Sequence, residues 1–323
     1  MKNIIYLKEV SNYNDTLKKR HKIPLFIKKV IFLYKNIFNI ITKKNEEGYN
    51  IWTLPITYKY SLSKINKVLK KLLKEQDNIY LLSNELNNKQ VKKFITEYSI
   101  EYITEEKIKK VLLINILKYI CNIQKKELTN LELTILVNNT AELNVHIIEE
   151  LAKSVKTLKI VSLNIYKFKN LEEKLYNEYG IAIQFSNSYK KSLLKSKIII
   201  NLDFREIEIN EYEIYNSAII INCMANNIKV KSRLFYGVIV NSCNISLKKE
   251  IINKFKSLNI YDNYNKLMLY ASVIENESNY IKLNDIIKDD KVGIINLIGN
   301  NGDINKNEFK NLDKKLDKNI KKE

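Results

Sequence analysis

Between residues 131 and 202, four short apolar runs (133–137, 158–163, 181–185 and 198–202) alternate with segments of helical period. Parallel strands cannot be joined by a tight turn and need a crossover of a dozen or so residues. The alternation is therefore the pattern of a parallel sheet with crossover segments, a βαβαβαβ unit. A fifth strand is expected at 218–222 and a sixth at 237–241, with a hairpin or edge piece at 228–230. Helices follow at 247–257 and 264–275, and the apolar run 292–299 adds a strand or packs back on the N-terminal part.

The first hundred residues repeat the theme on a smaller scale. A short strand is expected at 3–7, a helix after Ser61, strands at 79–82 and 101–103 with a helix at 88–98 between them, and a long helix over 105–125. Thr104 followed by Glu105 and Glu106 supplies an N-cap and acidic first-turn residues for that long helix. Residues 24–44 read as a basic amphipathic helix. Phe26, Val30, Leu33, Ile37 and Ile41 recur at helical spacing, and Lys28 and Lys35 lie opposite. The expected fold class is α/β and two-lobed, with a C-terminal doubly wound parallel sheet and a smaller N-terminal α/β lobe. The expected segments are a basic region (1–50), the small lobe with its connecting helix (51–126), the larger sheet domain (127–300) and a charged tail (301–323) that is mobile or a frayed helix.

The net charge of +19 in 323 residues invites a nucleic-acid reading until it is located along the chain. Residues 1–74 hold 17 Lys/Arg against 4 Asp/Glu, whereas 75–302 hold 31 against 27. Counterion release from a polyanion needs clustered cations, so the near-neutral body argues against nucleic acid as its partner. The basic stretch leaves open an anionic membrane surface or a protein partner docked through residues 24–44, or a helix simply packed on the body. Cys121, Cys223 and Cys243 share no metal-ligand or redox spacing, which fits a reducing cytoplasm. No apolar run near the N-terminus approaches the ~20 residues of a membrane span.

The sequence ILVNNTAELNVHIIEELAKSV, then KIVSLNIYKFKNLEEKL, then SLLKSKIIINLDF resembles in pattern and spacing the NAD(P)-binding, Rossmann-like domain of shikimate and quinate dehydrogenases and of relatives such as glutamyl-tRNA reductase. In that family the first stretch carries the phosphate loop, the second the ribose-selecting strand end and the third the substrate-facing loop. The resemblance implies NAD or NADP as cofactor and an oxidoreductase activity. This chain departs from it at the contacts. A dinucleotide loop needs glycines for its tight turn and for close backbone approach to the diphosphate. Residues 138–142 read NNTAE and contain none. Asn164 stands at the ribose position with Ile165 after it and no Arg, and residues 55–110 hold no counterpart of the family's catalytic Lys and Asp.

Ligands of open parallel sheets bind beyond the carboxyl ends of the strands. There the sequence places Asn138, Asn139, Thr140, Asn164 and Asp203 as a candidate ligand rim for a polar small molecule, continued by Asn222 and Asn241. Asp203, Arg205 and Glu206 form a cluster of opposite charges, read as acid–base chemistry or a local ion pair. His146, four residues beyond Glu142, lacks the partners of a zinc site or a triad. Cys223 and Cys243 follow strands and are either reactive thiols or packing residues. Three functional readings stand: a binding, regulatory or assembly module that has lost ordinary cofactor binding; an NAD(P)-dependent oxidoreductase with an atypical cofactor site; or a peripheral membrane or nucleic-acid-associated protein that uses its basic N-terminal region.

Overall fold

The computed structural model describes residues 3–9, 42–46, 49–54, 70, 79–82, 101–257, 261, 264–310 and 312. It divides into two compact units, each discontinuous in sequence. One comprises residues 1–104 and 249–276, the other 105–248 and 277–323. These groupings differ from the contiguous segments 51–126 and 127–300 expected from the sequence.

The first unit contains a five-stranded sheet of β1 (Asn3–Glu9), β2 (Thr42–Glu46), β3 (Tyr49–Leu54), β4 (Ile79–Leu82) and β5 (Glu101–Tyr102), in the order β2-β3-β1-β4-β5. Its pairings are parallel except for the β2–β3 hairpin. Thr42, Lys43 and Lys44 therefore lie in a strand, paired with Thr53, Trp52 and Ile51, and not at the end of a helix. A hairpin partner supplies their backbone hydrogen bonds. The rest of the helix expected over 24–44, and those expected after Ser61 (residue 70 apart) and at 88–98, fall outside the described residues.

The second unit begins with α1 (Glu106–Val111) and α2 (Leu113–Gln124), one expected helix interrupted at Leu112, whose ψ is 0°. There follow β6 (Glu132–Leu136), α3 (Glu142–Ser154), β7 (Thr157–Val161), α4 (Lys169–Tyr179), β8 (Gln184–Ser186), β9 (Ile198–Asn201), a short α5 (Glu206–Ile209), β10 (Ile219–Asn222), β11 (Val238–Val240) and β12 (Ser242–Ser246). Helices α6 (Lys249–Ser257) and α7 (Lys266–Ile274) group with the first unit, after which α8 (Tyr280–Asp289), β13 (Gly293–Gly299) and β14 (Gly302–Asp303) return to the second. The sequence reading missed α8, which is capped by the Asn279 side chain. Among the described residues, no helix is long and apolar enough to cross a membrane.

Strands β6 to β11 form one parallel sheet in the order β11-β10-β9-β6-β7-β8. Numbered from β6, this is 3-2-1-4-5-6 read from the other edge, the doubly wound order of a Rossmann-like domain. The central strands read ELTIL, IIIN and IIIN because both of their faces are covered, which removes the polar alternation of a half-exposed strand. Leu136, Ile199 and Ile220 pack on one face with Val161, Phe204 and Tyr212. Ile135, Ile200 and Ile221 fall on the opposite face of the pleat and are equally buried. Gly180 ends α4 in the left-handed conformation, φ 66°, that a side chain would oppose. Gly237 lets β11 enter beside β10, since a Cβ there would stand 2.1 Å from the Ala218 carbonyl oxygen.

One further expectation is corrected. Residues 228–230 form no strand, because the Ile228 backbone is paired with the side-chain amides of Asn241 and Asn300. The start of the tail takes helical form. Residues 306–310 are helical, with Phe309 and Leu312 buried at helical spacing, and 313–323 fall outside the described residues. The 292–299 run becomes β13, which pairs antiparallel with β12 and β14 in a separate small sheet.

Ile200 sits at the centre of the parallel sheet with no exposed surface. Replacing it with Ala is expected to cost about 2–5 kcal/mol, seen as a lower urea midpoint with an unchanged slope.

Candidate functional site

The strand order reverses between β6 and β9, the switch point at which doubly wound folds place their ligand crevice. The β6 loop leaves through Val137, whose N–H still bonds to Val161, and Leu202 of the β9 loop bonds back to Leu136. Beyond these bonds the next backbone donors have no strand to meet, and the chain meets them with a side chain. The Asp203 carboxylate accepts from the N–H of Asn138 through one oxygen at 2.7 Å and from the N–H of Asn139 through the other at 2.8 Å. A carboxylate spanning two consecutive amides is the geometry of an anion held in a backbone cradle.

The rest of the loop is tied down in the same way. The Asn138 side-chain oxygen accepts from the Leu163 N–H at 2.9 Å and faces the Ser162 hydroxyl at 3.4 Å, linking the ends of β6 and β7. The Asn139 side-chain oxygen accepts from the Ala141 N–H at 2.7 Å. Burial holds the Asp203 carboxyl above the usual carboxylate range. Its two N–H partners and Lys110 pull the other way.

Of the predicted rim, Asn138, Asn139 and Asp203 thus come together. Thr140 and Asn164 are exposed, and Asn164 joins the group only through its backbone N–H, which donates to the Ser162 hydroxyl at 3.1 Å. Among the ion pairs of this loop, none joins Asp203 to Arg205. Arg205 instead pairs with Glu208 at 2.9 Å, and the same carboxylate accepts the Arg205 N–H at the start of α5. Glu208 is held below the usual glutamate range by that arginine.

Further along the rim, where the sequence reading placed Asn222 and Asn241, it missed that they belong to a bonded chain of amides with Asn201 and Asn300. The Asn201 amide donates to Asn222 at 2.9 Å, Asn222 donates to Asn241 at 3.0 Å and Asn241 donates to Asn300 at 2.9 Å. Asn201, Asn222 and Asn241 are each at most 1% exposed. Their remaining amide hydrogens go to the carbonyls of Phe204, Asn226 and Ile228. The signal was present in IIIN at 198–201, IIIN at 219–222 and VIVN at 238–241, which end neighbouring strands in Asn. Register Asn222↔Asn201 sets the first two side by side.

Lys109 closes this region. Its ammonium, 2% exposed, donates to the carbonyls of Met224 and of Asn241, the latter at 2.9 Å, and burial lowers its pKa. No sequence signal separates it from its neighbours Lys107 and Lys110. Cys223 and Cys243 lie beside it, buried, with their thiols pushed up to about 11 and about 12 by burial. Both are enclosed by the core, and burial disfavours the thiolate that reactivity requires. Cys121 is buried on α2. His146 sits between Glu142 and Glu149, at 3.6 and 3.7 Å, and stacks on Tyr280. Among the described residues, no group of His, Cys, Asp and Glu is arranged to hold a metal ion.

No protein-family model matches the chain, and no curated protein matches it. Solved structures similar to it include L-tryptophan dehydrogenase from Nostoc punctiforme, at 12% identity, covering 100% of this chain and 89% of that one with a TM-score of 0.31. They also include the A chain of dipicolinate synthase from Bacillus subtilis, at 7% identity, covering 72% and 70% with a TM-score of 0.35. A third is D-mandelate dehydrogenase from Rhodotorula graminis, at 8% identity, covering 73% and 77% with a TM-score of 0.34. The Rossmann-like class of the second unit rests on its own strand order and parallel pairing.

Replacing Asp203 with Ala removes the acceptor of two adjacent N–H groups. A loss of about 1 kcal/mol in unfolding free energy is expected, because only the half-buried Asn138 N–H is sheltered from water and burial already opposes the ionised carboxyl, measured by urea denaturation at neutral pH.

Proposed function

We propose that the second unit is a Rossmann-like domain that works without a dinucleotide, as a non-catalytic binding, regulatory or assembly module. The observation that carries this reading is the Asp203 carboxylate on the N–H groups of Asn138 and Asn139. In a dinucleotide-binding loop such amides face the diphosphate. Here an internal anion takes their hydrogen bonds, and a diphosphate arriving at the same amides would meet its negative charge. Glu142, in the first turn of α3, adds a second negative charge at that helix end. The amide chain from Asn201 to Asn300 supports the same reading, because its donors and acceptors satisfy one another.

A second reading, an NAD(P)-dependent oxidoreductase with an atypical cofactor site, draws on the 3-2-1-4-5-6 strand order. It requires Asp203 to leave the loop whenever cofactor binds. Calorimetry on the full chain with NAD, NADH, NADP and NADPH separates the two readings. The proposal expects no binding at ligand concentrations of about 100 μM; a dissociation constant in the micromolar range, about −8 kcal/mol of binding free energy, would overturn it.

A further inference from the structure

The parallel sheet has a second edge, and there the second unit is open. A cavity of about 860 Å³ lies at the amino ends of the strands, floored by the first residues of β6, β7, β9 and β10. One wall is the 187–197 connection from β8 to β9, which crosses the edge as a series of turns instead of a helix. Five lysines line the cavity, Lys126, Lys159, Lys191, Lys195 and Lys197, against one acidic residue, Glu132.

Lys159 is the deepest of these cations. It rises from β7, is half-buried, and donates one hydrogen bond to the Ser192 carbonyl at 2.9 Å. An ammonium carries three donors, so two more are available. Burial lowers its pKa, and no acidic neighbour among the described residues offsets that cost. Lys191, Lys195 and Lys197 are exposed on the connection. The floor between them is polar: the buried hydroxyls of Thr134 and Ser196 meet at 2.8 Å. Ammonium groups gathered around one concavity repel each other, and a multiply charged anion relieves that repulsion at several of them at once.

We propose that this amino-edge cavity binds a small molecule carrying two or more phosphate groups. Lysine is a point-charge phosphate ligand, and a single carboxylate would neutralise only one of the cations. The volume lies within the roughly 300–1,000 Å³ of small-molecule sites. The lysines surround one concavity and do not form the extended basic track that a nucleic-acid backbone follows. The inference concerns the opposite edge from Asp203 and holds whether or not the carboxyl edge takes a dinucleotide.

The test is calorimetry on the full chain with inorganic tripolyphosphate, which carries neither adenosine nor nicotinamide. At about 0.15 M salt a dissociation constant on the order of 10 μM is expected, with orthophosphate at least about tenfold weaker. Lys159→Gln is expected to weaken binding tenfold or more. So is the pair Lys195→Gln and Lys197→Gln, which are exposed and leave the Lys159–Ser192 bond in place. Lys282→Gln, exposed on α8 away from the cavity, is expected to leave it unchanged. Absence of binding would overturn the proposal. So would equal weakening by Lys282→Gln, or binding that survives the cavity variants, which would assign it to the basic residues 1–74. Tighter binding of a DNA duplex that is lost in the cavity variants would replace it with a nucleic-acid site.

Discussion

Two consecutive backbone N–H groups, of half-buried Asn138 and exposed Asn139, have no strand partner at the end of the first strand of this doubly wound sheet, and backbone donors are paired with protein or water almost without exception. Something must accept from them. In this chain the acceptor is covalently part of the protein, the Asp203 carboxylate delivered by the neighbouring strand across the point where the strand order reverses. The arrangement makes the loop self-sufficient. It also explains how the loop can dispense with glycine: residues 138–142 need not admit a diphosphate against the bare backbone, so Asn, Thr and Ala are tolerated.

The same economy extends along the rim. Asparagine abundance has the look of a compositional bias, yet at 201, 222, 241 and 300 it builds a continuous chain of side-chain amides across three strand ends. A fully satisfied buried polar network fixes geometry, whereas a partly satisfied one is a liability. Lys109 finishes the arrangement by bonding to carbonyls beyond β10 and β11. Function at this edge, in the proposed reading, has given way to internal order, while the amino edge keeps an open, cation-lined concavity.

The sheet was legible in the sequence because its signal is collective: each of the apolar runs at 133–137, 158–163, 198–202, 218–222 and 237–241 overlaps an observed strand, with ends displaced by a residue or two. The candidate rim was legible by position, since strand ends can be counted, but its bonding was not. Nothing in the local sequence distinguishes an Asp203 that faces Asn138 from one that pairs with Arg205. That choice depends on Glu208 claiming the arginine one helical turn later. Likewise Thr42–Lys44 continue the helical pattern of residues 24–41, and only the hairpin with β3 turns them into a strand. Contacts between distant residues decide such cases, and local periodicity does not carry them.

The central claim, that an internal carboxylate holds the loop amides, is tested most directly by a nuclear magnetic resonance pH titration of the full chain. The amide protons of Asn138 and Asn139 should shift together with the Asp203 carboxyl carbon, through one common inflection above the usual aspartate range. Amide resonances that ignore the titration of Asp203, or that titrate separately from each other, would contradict the account.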